Sequence, residues 1–593
     1  MDQLSSTPRQ LLDRAFSDFK AGKLVEAERL CEQIIAAKRD SFDAFYLLAI
    51  VQSRLGKNDA ALASYDRAIA LRLDLAVAHY NRGATLQELK RYDEALASYD
   101  RALAARPDFA VALSNRGNVL QELGRYDEAL ASFDRALALR PDFAVALYNR
   151  GNVLQNLEHY NEALASYDRA LAVRPDFPEA LSNRGKVLQK LKRFEEAVAS
   201  YDPALALRPD FVEAYSDRGT AFHALKRYDE ALASYGRALG LQPSYVLAHY
   251  NRGLTLHEFG RCEEAIVSYS HAIDLQPDLA DAHLNQSLSR LLIGDFDHGW
   301  PGYEWRMKVR STGNIWRKFT QPQWSGHVDI SGKTILLHAE QGFGDAIQFC
   351  RYVPLVAARD ARIILEVPMQ LVELMTTLAG ASQIVAKYSP LPDFDIHCPL
   401  LSLPLAFGTR LETIPSLVPY LRASSEDVKN WEARLGPKQR PRIGLAWSGR
   451  PTYVNDRNRS IPLNALLPLL DIDATFVSLQ KDVHASDATV LQAHSDLRHF
   501  SDELKNFSDT AALISRLDLV ISIDSSVAHL AGALAKPVWV MLPFIPDWRW
   551  LLNRDDSPWY PTVRLFRQDD TRVWDNVIAR IHAALGEFLQ SRI

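Results

Sequence analysis

The triplet Asn-Arg-Gly begins at Asn81, Asn115, Asn149, Asn183 and Asn251, always 34 residues or a multiple of 34 apart, and Asp217-Arg218-Gly219 fills the missing step. Carried backward, the glycine phase falls on Ala49 and Ala15; carried forward it falls on Ser287, so the position stays small. A fixed period of this length describes supersecondary units that bury their apolar faces only against one another, which dictates a stack in place of a closed core. The period ends well short of residue 593, and one core sustains only about 250–300 residues, so a second module follows.

Residues 110–143, AVALSNRGNVLQELGRYDEALASFDRALALRPDF, represent the unit. Two apolar helical stripes flank a turn at Gly124-Arg125, and Pro141 stops the second helix. Gly117, Ala129 and Ala136 recur in phase where helices must approach closely, and Tyr92, Tyr126 and Tyr160 recur as the bulky residue of the turn. The pattern resembles the tetratricopeptide repeat (TPR) at every diagnostic position except that of Arg116, where an apolar residue is usual. Eight units run from about residue 8 to 279, and a ninth, degenerate unit has Gly294-Asp295-Phe296 at its turn. It then becomes aromatic, with Trp300, Tyr303 and Trp305. Such rings suit a capping helix, or they dock the stack onto the next domain, since aromatics at a terminal repeat need cover. The solenoid is therefore assigned to 8–306 and a connector to 307–331.

The asparagines at 81, 115, 149, 183, 251 and 285 share one phase of the first helix of each unit, the helix that lines the concave side of such a stack. An amide offers a donor and an acceptor, so this row either pairs with a polypeptide backbone or bonds neighbouring repeats and stiffens the stack. The run SNRGNVLQELGRYDEALASFDRALALRPDF resembles repeats of the protein O-GlcNAc transferases. That resemblance implies that Asn81, Asn115, Asn149 and Asn183 hold an acceptor polypeptide, while Asp217 interrupts the row.

Beyond residue 331 short β-branched runs alternate with helical stretches, the sign of a parallel α/β sheet. KTILLHA (333–339), RIILEVP (362–368) and SQIVAKY (382–388) form one set of strands. RIGLAWS (442–448), TFVSLQ (475–480), DLVISID (518–524) and PVWVMLP (537–543) form another, and SSEDVKNWEARLGPKQRP separates the two. The pattern predicts an α/β domain, 332–593, made of two Rossmann-like halves (332–422 and 440–570) and a closing helix at 572–591. In such sheets ligands bind at the carboxyl ends of the strands, here in the cleft between halves.

Three motifs stand at those ends. HAEQGFGDAIQF leads from a strand ending near His338 through Gly342 and Gly344 into a helix at Asp345. The glycines permit a tight turn and close backbone approach to a ligand; the acid is also an ordinary helix cap. In DLVISIDSSVAHLAGALAKPVWVMLP, a strand ends at Asp524 and Ser525-Ser526 opens a helix, an anion site suited to a diphosphate; Asp524 either accepts from a ribose or fixes the turn, and His529 on that helix either faces the cleft or packs in the core. In GLAWSGRPTYVNDRNRSIPL, Ser448 and Gly449 end a strand, and Arg457 and Arg459 follow in a polar loop, where arginines are usually solvent-exposed but either is able to brace a phosphate.

In this order the motifs resemble the ADP-heptosyltransferases, GT-B enzymes of lipopolysaccharide synthesis, over roughly residues 333–568. The resemblance implies that Asp345 is the catalytic base and that Asp524, Ser525, Ser526 and His529 line the nucleotide. The first half is shorter than in that family, and PDWRWLLNRDDSPWYPTVRLFRQ departs from it, so neither sugar nor acceptor carries over.

The expected activity is transfer of a sugar from a nucleotide-sugar donor, with inversion and with no metal or further cofactor, to Ser or Thr of a protein in the TPR groove. Asp345 and His338 are the catalytic candidates; the donor-binding candidates are Gly342, Gly344, Ser448, Gly449, Arg459, Lys481, Asp524, Ser525, Ser526 and His529. A base in reach of the acceptor hydroxyl contributes about 10²–10⁴-fold. The helix opening at Ser526, with Arg459 or Lys481, stabilises the leaving diphosphate. Asp393-Phe394-Asp395 has the look of a metal-binding pair but lies in a Pro-rich loop beside a strand. Bacterial flagellin-modifying glycosyltransferases are similar in arrangement, which makes flagellin one specific acceptor. Two alternatives stand: a transferase acting on lipopolysaccharide or another surface glycan, and a non-catalytic TPR scaffold with a nucleotide-binding domain.

Other classes fit poorly. A net charge of -5, with both signs interspersed, gives no footprint for nucleic acid. Cys31, Cys262, Cys350 and Cys398 match neither a disulfide framework nor a C-x-x-C metal site. The N-terminal stretch has no apolar signal core and no run stays apolar for about 18 residues, so a cytoplasmic protein without a transmembrane segment is expected.

Overall fold

The computed structural model describes residues 7–309, 317–449 and 456–590. Residues 310–316 of the expected connector, 450–455 of the third motif and position 591 of the expected closing helix lie outside the described residues. The chain divides into two compact units, Met1–Pro243 and Ser244–Ile593.

The first unit is a succession of helix pairs, from Pro8–Lys20 with Leu24–Ala37 to Val212–Ala224 with Tyr228–Leu241. The representative unit gives Ala110–Glu122 and Tyr126–Leu139, joined by a turn in which Gly124 has φ 70°. The triplet glycine has a packing cause. A Cβ on Gly117 would lie 2.7 Å from the Phe133 ring, and one on Gly151 would lie 2.6 Å from the Tyr167 ring. The ring sits sixteen positions on in the second helix, so only a residue without a side chain lets the helices close. Arg116, the departure from the usual repeat, also has a cause. Its Nε donates to Asp100 Oδ1 (2.7 Å) in the preceding second helix and its Nη1 to Ser132 Oγ (2.6 Å) in its own. Arg82, Arg150 and Arg184 repeat the clasp with Asp66, Asp134 and Asp168.

The second unit opens with two more pairs, Val246–Glu258 with Cys262–Leu275 and Ala280–Leu292 with Phe296–Tyr303, and a one-turn helix Glu304–Met307. Two all-parallel sheets follow. The first contains β1 (Thr334–His338), β2 (Arg362–Val367), β3 (Gln383–Ala386) and β4 (Ile396–Pro399), in the order β3-β2-β1-β4. The second contains β5 (Arg442–Ala446), β6 (Thr475–Ser478), β7 (Leu497–His499), β8 (Leu519–Ile523), β9 (Val538–Leu542) and β10 (Val563–Arg567), in the order β10-β9-β8-β5-β6-β7. The chain builds outward from β1 and from β5, then returns to the other side of the same strand at β4 and at β8. Each sheet thus has one point where its order reverses. β5, β8 and β9 are buried along their whole length, as sheets covered on both faces require. The closing helix spans Asp575–Gln590.

Leu291, Phe296, Trp300 and Tyr303 of the last helix pair share one core with Ile335, Leu337, Phe349 and Trp548. Trp300 and Tyr303 meet the Trp548 ring edge-on, at 5.2 Å and 5.9 Å between centroids. Trp305 instead stacks on His283 of its own repeat at 3.8 Å. Among the described residues no helix is long and apolar enough to cross a membrane.

Candidate functional site

The loop after β1 and the loop after β8 meet. Gly342 begins the helix Phe343–Phe349, and Asp345 Oδ2 turns back to accept the Gly342 N–H at 2.8 Å. A Cβ on Gly344 would lie 2.9 Å from His529 Cδ2 and 3.6 Å from Ser526 Cα. Bare backbone at Gly344 therefore seats this helix against the helix Ser526–Ala533, so the close approach that the sequence suggested for a ligand is taken up by the protein itself.

Asp345 Oδ1 ion-pairs with Arg549, which stands on the one-turn helix Trp548–Trp550 after β9. Arg549 also donates to Asp547 Oδ1 (2.8 Å) and Gln348 Oε1 (2.6 Å) and lies over the Trp548 ring at 4.4 Å. Burial opposes the guanidinium charge, but Asp547 and Asp345 outweigh it and hold its pKa well above the ordinary arginine value.

At the end of β8, Asp524 Oδ1 lies 3.6 Å from His529 Nε2, and His529 Nδ1 lies 2.9 Å from the Tyr560 hydroxyl. The imidazole is buried and stacks on Trp550 at 5.4 Å. Burial pushes the Asp524 carboxyl up, but the His529 hydrogen bond and the charges of His529, Arg459 and Arg549 prevail and hold it below the usual range. Burial and the Asp524 charge raise Asp547 in turn.

The β5 loop completes the arrangement. Arg459 Nη1 donates to the Asp524 carbonyl at 2.9 Å, and its Nε lies 3.3 Å from Asp456 Oδ1. A Cβ on Gly449 would fall 2.2 Å from Asp456 Oδ1, so this glycine makes room for the Asp456–Arg459 turn. Arg457 on the same turn is exposed. Ser448 is clasped by Gln480 through its N–H (3.2 Å) and carbonyl (3.0 Å), while its buried hydroxyl has no hydrogen-bond partner among the described residues. Ser525 Oγ lies 3.0 Å from Ser522 Oγ, and Ser525 and Ser526 are half-buried at the start of their helix. These groups converge where the second sheet reverses between β5 and β8, the position at which parallel sheets bind ligands, beside a helix N-terminus that favours anions.

Two candidates lie elsewhere. The Lys481 ammonium is held by the carbonyls of Leu504 and Lys505. His338 falls on the face of its sheet opposite the Phe343–Phe349 helix. Ile335 and Leu337 enter the core with Phe349, whereas Leu336 belongs to the cluster covered by Phe319 and Phe394; alternation along a strand puts His338 with the latter. Its Nε2 lies 3.3 Å from His397 Nδ1 and its ring 5.2 Å from Phe319. Burial, then His397, pushes its pKa down to about 3, so it is neutral. Asp395 accepts the Thr334 N–H at 2.7 Å and so caps β1.

Sequence reasoning missed Arg549, Tyr560 and Glu340. The first two lie in the stretch set aside as a departure from the resembled family; an arginine between tryptophans, just past a strand's carboxyl end, was the available signal. In the repeats, the asparagine amides face the preceding repeat. Asn81, Asn115 and Asn183 Nδ2 donate to the hydroxyls of Tyr46 (2.9 Å), Tyr80 (3.1 Å) and Tyr148 (3.1 Å), and Asn149 Nδ2 donates to Asn118 Oδ1 (2.8 Å).

Comparison with known proteins bears on the helical array. Residues 74–142, 108–176, 148–210 and 246–279 match models described as tetratricopeptide repeat, and 54–90 and 219–260 match one described as TPR repeat. The array is a TPR solenoid. The chain is 26% identical over 327 residues to Protein FlbA of Caulobacter vibrioides (strain ATCC 19089 / CIP 103742 / CB 15), covering 51% of this chain and 54% of that protein. It thus spans about half the length of this relative. Among solved structures, YrrB, a TPR protein with an unusual peptide-binding site, is 29% identical over 31% of this chain and 95% of its own, with a TM-score of 0.29. A tetratricopeptide repeat protein from Parabacteroides merdae is 20% identical over 42% of this chain and 98% of its own, with a TM-score of 0.34.

Proposed function

We propose that the chain is a TPR scaffold whose C-terminal α/β domain binds a nucleoside diphosphate or its sugar ester. The observation that carries this reading is the convergence at the β5/β8 reversal of Arg459, Ser525, Ser526 and the start of the Ser526–Ala533 helix. The order of the second sheet, with two strands added to either side of the β5/β8 pair, is that of a Rossmann-type sheet. The first sheet repeats its central part, which supports a GT-B-like pair of halves.

A second reading, sugar transfer, is favoured by the meeting of the Gly342–Asp345 loop with the Asp524–His529 segment. In that reaction an acceptor hydroxyl oxygen bonds to the anomeric carbon while the bond to the diphosphate breaks. The hydroxyl proton passes to a carboxylate, for which Asp345 is the candidate, and the diphosphate leaves with its negative charge toward the helix start and Arg459. Asp345 already accepts from Gly342 and Arg549, so it would serve as base only through its remaining lone pairs. A protein acceptor held by the repeats, flagellin among them, and a surface glycan are the two acceptor classes to compare.

The test is a thermal-shift screen of the full chain against UDP, GDP, ADP and CMP, followed by donor hydrolysis with the matching nucleotide sugar. Stabilisation by one nucleoside diphosphate supports the binding reading, because a ligand of the folded state alone raises stability by mass action. Turnover of its sugar ester adds the transfer reading, and absence of any shift in folded protein sinks both.

A further inference from the structure

The last repeat touches both loops of the candidate site. Arg306, on the turn Glu304–Met307 that closes the repeats, ion-pairs with Glu340 at 2.9 Å, and the two side chains are 2% and 4% exposed. Glu340 lies two positions before Gly342. The same guanidinium stands 4.8 Å over the Tyr303 ring, Tyr303 meets Trp548 edge-on at 5.9 Å, Arg549 lies 4.4 Å over Trp548, and Arg549 pairs with Asp345. The contacts close a circuit: Glu340 and Asp345 belong to one loop, and the path between them runs through the last repeat and the second sheet.

This circuit has a physical consequence. Glu340 sits where burial raises a carboxyl, to about 6, and Arg306 is its ionic partner. Among the described residues Glu340 Oε2 and Arg306 Nε have no hydrogen-bond partner, so Glu340 is held through Oε1 alone, by the ion pair with Arg306 (2.9 Å) and a longer bond from the Leu401 N–H (3.3 Å). Burying the pair orders the loop only while Arg306 is held, and Arg306 is held by Glu304, Ser402 and the Tyr303 ring.

We propose that the Glu304–Met307 turn and Tyr303 are positioning elements of the ligand site, setting the Gly342–Asp345 loop against Arg549 and thereby the affinity of the site for its ligand. The affinity part rests on the nucleotide-binding reading; the positioning part does not.

The experiment uses the full chain with Arg306→Met, Tyr303→Leu and the double variant Arg306→Met/Glu340→Gln. Amide hydrogen exchange is read over residues 340–345 and 547–551, with and without UDP, GDP and ADP. Arg306→Met is expected to speed exchange in both segments by about 10-fold or more while β8 and β9 keep wild-type protection. Tyr303→Leu is expected to loosen 547–551 and, through Arg549, 340–345. The double variant, which removes the deeply buried Glu340 charge together with its partner and leaves only the less buried Glu304 without a cation, is expected to recover part of the protection. Faster exchange confined to 340–345, or wild-type exchange in both segments of a folded Arg306→Met chain, overturns the proposal. If the exchange pattern holds but no nucleotide binds the wild type, the positioning role stands and the nucleotide reading falls.

Discussion

The Asp345 carboxylate and the Arg549 guanidinium form an ion pair between residues 204 positions apart, joining a loop of the first sheet to one of the second. The partners are unequal: the Arg549 side chain is 8% exposed and that of Asp345 20%. Arg549→Met takes from Asp345 and Asp547 the cation they share, and loss of one member of a buried pair costs about 3–5 kcal/mol. Asp345→Asn costs less, because Arg549 keeps Asp547 at 2.8 Å and Gln348 at 2.6 Å. Urea denaturation of the two variants checks the order, and an equal or greater loss in Asp345→Asn contradicts it. Under the transfer reading, Asp345→Asn also lowers donor turnover by about 10²–10⁴-fold.

Gly151→Ala tests why the repeats carry a glycine. Alanine is the better helix former by about 1 kcal/mol, so a site with room gains stability. Here the new methyl lies 2.6 Å from the fully buried Tyr167 ring, and overpacking of this kind costs about 1–3 kcal/mol. The expected outcome is net destabilisation, relieved when Tyr167→Leu is added. A Gly151→Ala chain that melts higher than wild type refutes the packing argument.

The repeats were legible because one unit recurs eight times and, degenerate, a ninth, and in six of these a glycine faces a ring sixteen positions on. The clasp at Arg116 was visible only as a departure, since its partners Asp100 and Ser132 lie on two other helices. In the α/β domain the β-branched runs located seven of the ten strands among the described residues, whereas Ile396–Pro399 has a single β-branched residue, Leu497–His499 is too short and Val563–Arg567 is too interrupted by arginine to register. Arg549 escaped because its function is a contact across 204 residues, which no local pattern encodes. For His338 the period of two along β1 was available in the sequence and places it across the sheet from Asp345.

The two buried groups near β1 predict opposite responses to acid. His338 takes a proton near 6.5 when unfolded and near 3 when folded. The unfolded chain therefore binds more protons between those values, and stability falls as pH drops through 6.5, by about 1.4 kcal/mol per unit. Glu340 is raised from 4.5 to about 6 in the folded chain, so between 6 and 4.5 the folded state binds the extra proton and acid stabilises it. The effects offset in that window. Unfolding midpoints at pH 7, 6 and 5 should fall more steeply in Glu340→Gln than in wild type, and less steeply, or rise, in His338→Asn. Parallel profiles for all three chains exclude this assignment.

Asn183 separates the two roles of the asparagine row. Its Nδ2 donates to Tyr148 (3.1 Å) and to Asn152 (2.9 Å), so Asn183→Ala loses bonds between repeats worth about 1 kcal/mol each. Tyr148→Phe removes one of the same bonds, and the double variant should show a coupling of about 0.5–1 kcal/mol by thermal unfolding. If the row also holds a polypeptide, the bound chain competes with Tyr148 for that amide. Tyr148→Phe then weakens the stack yet strengthens polypeptide binding, while Asn183→Ala weakens both. A row that only stiffens the stack gives Tyr148→Phe and Asn183→Ala the same sign in both measurements, because each then acts on binding solely through the stability of the groove.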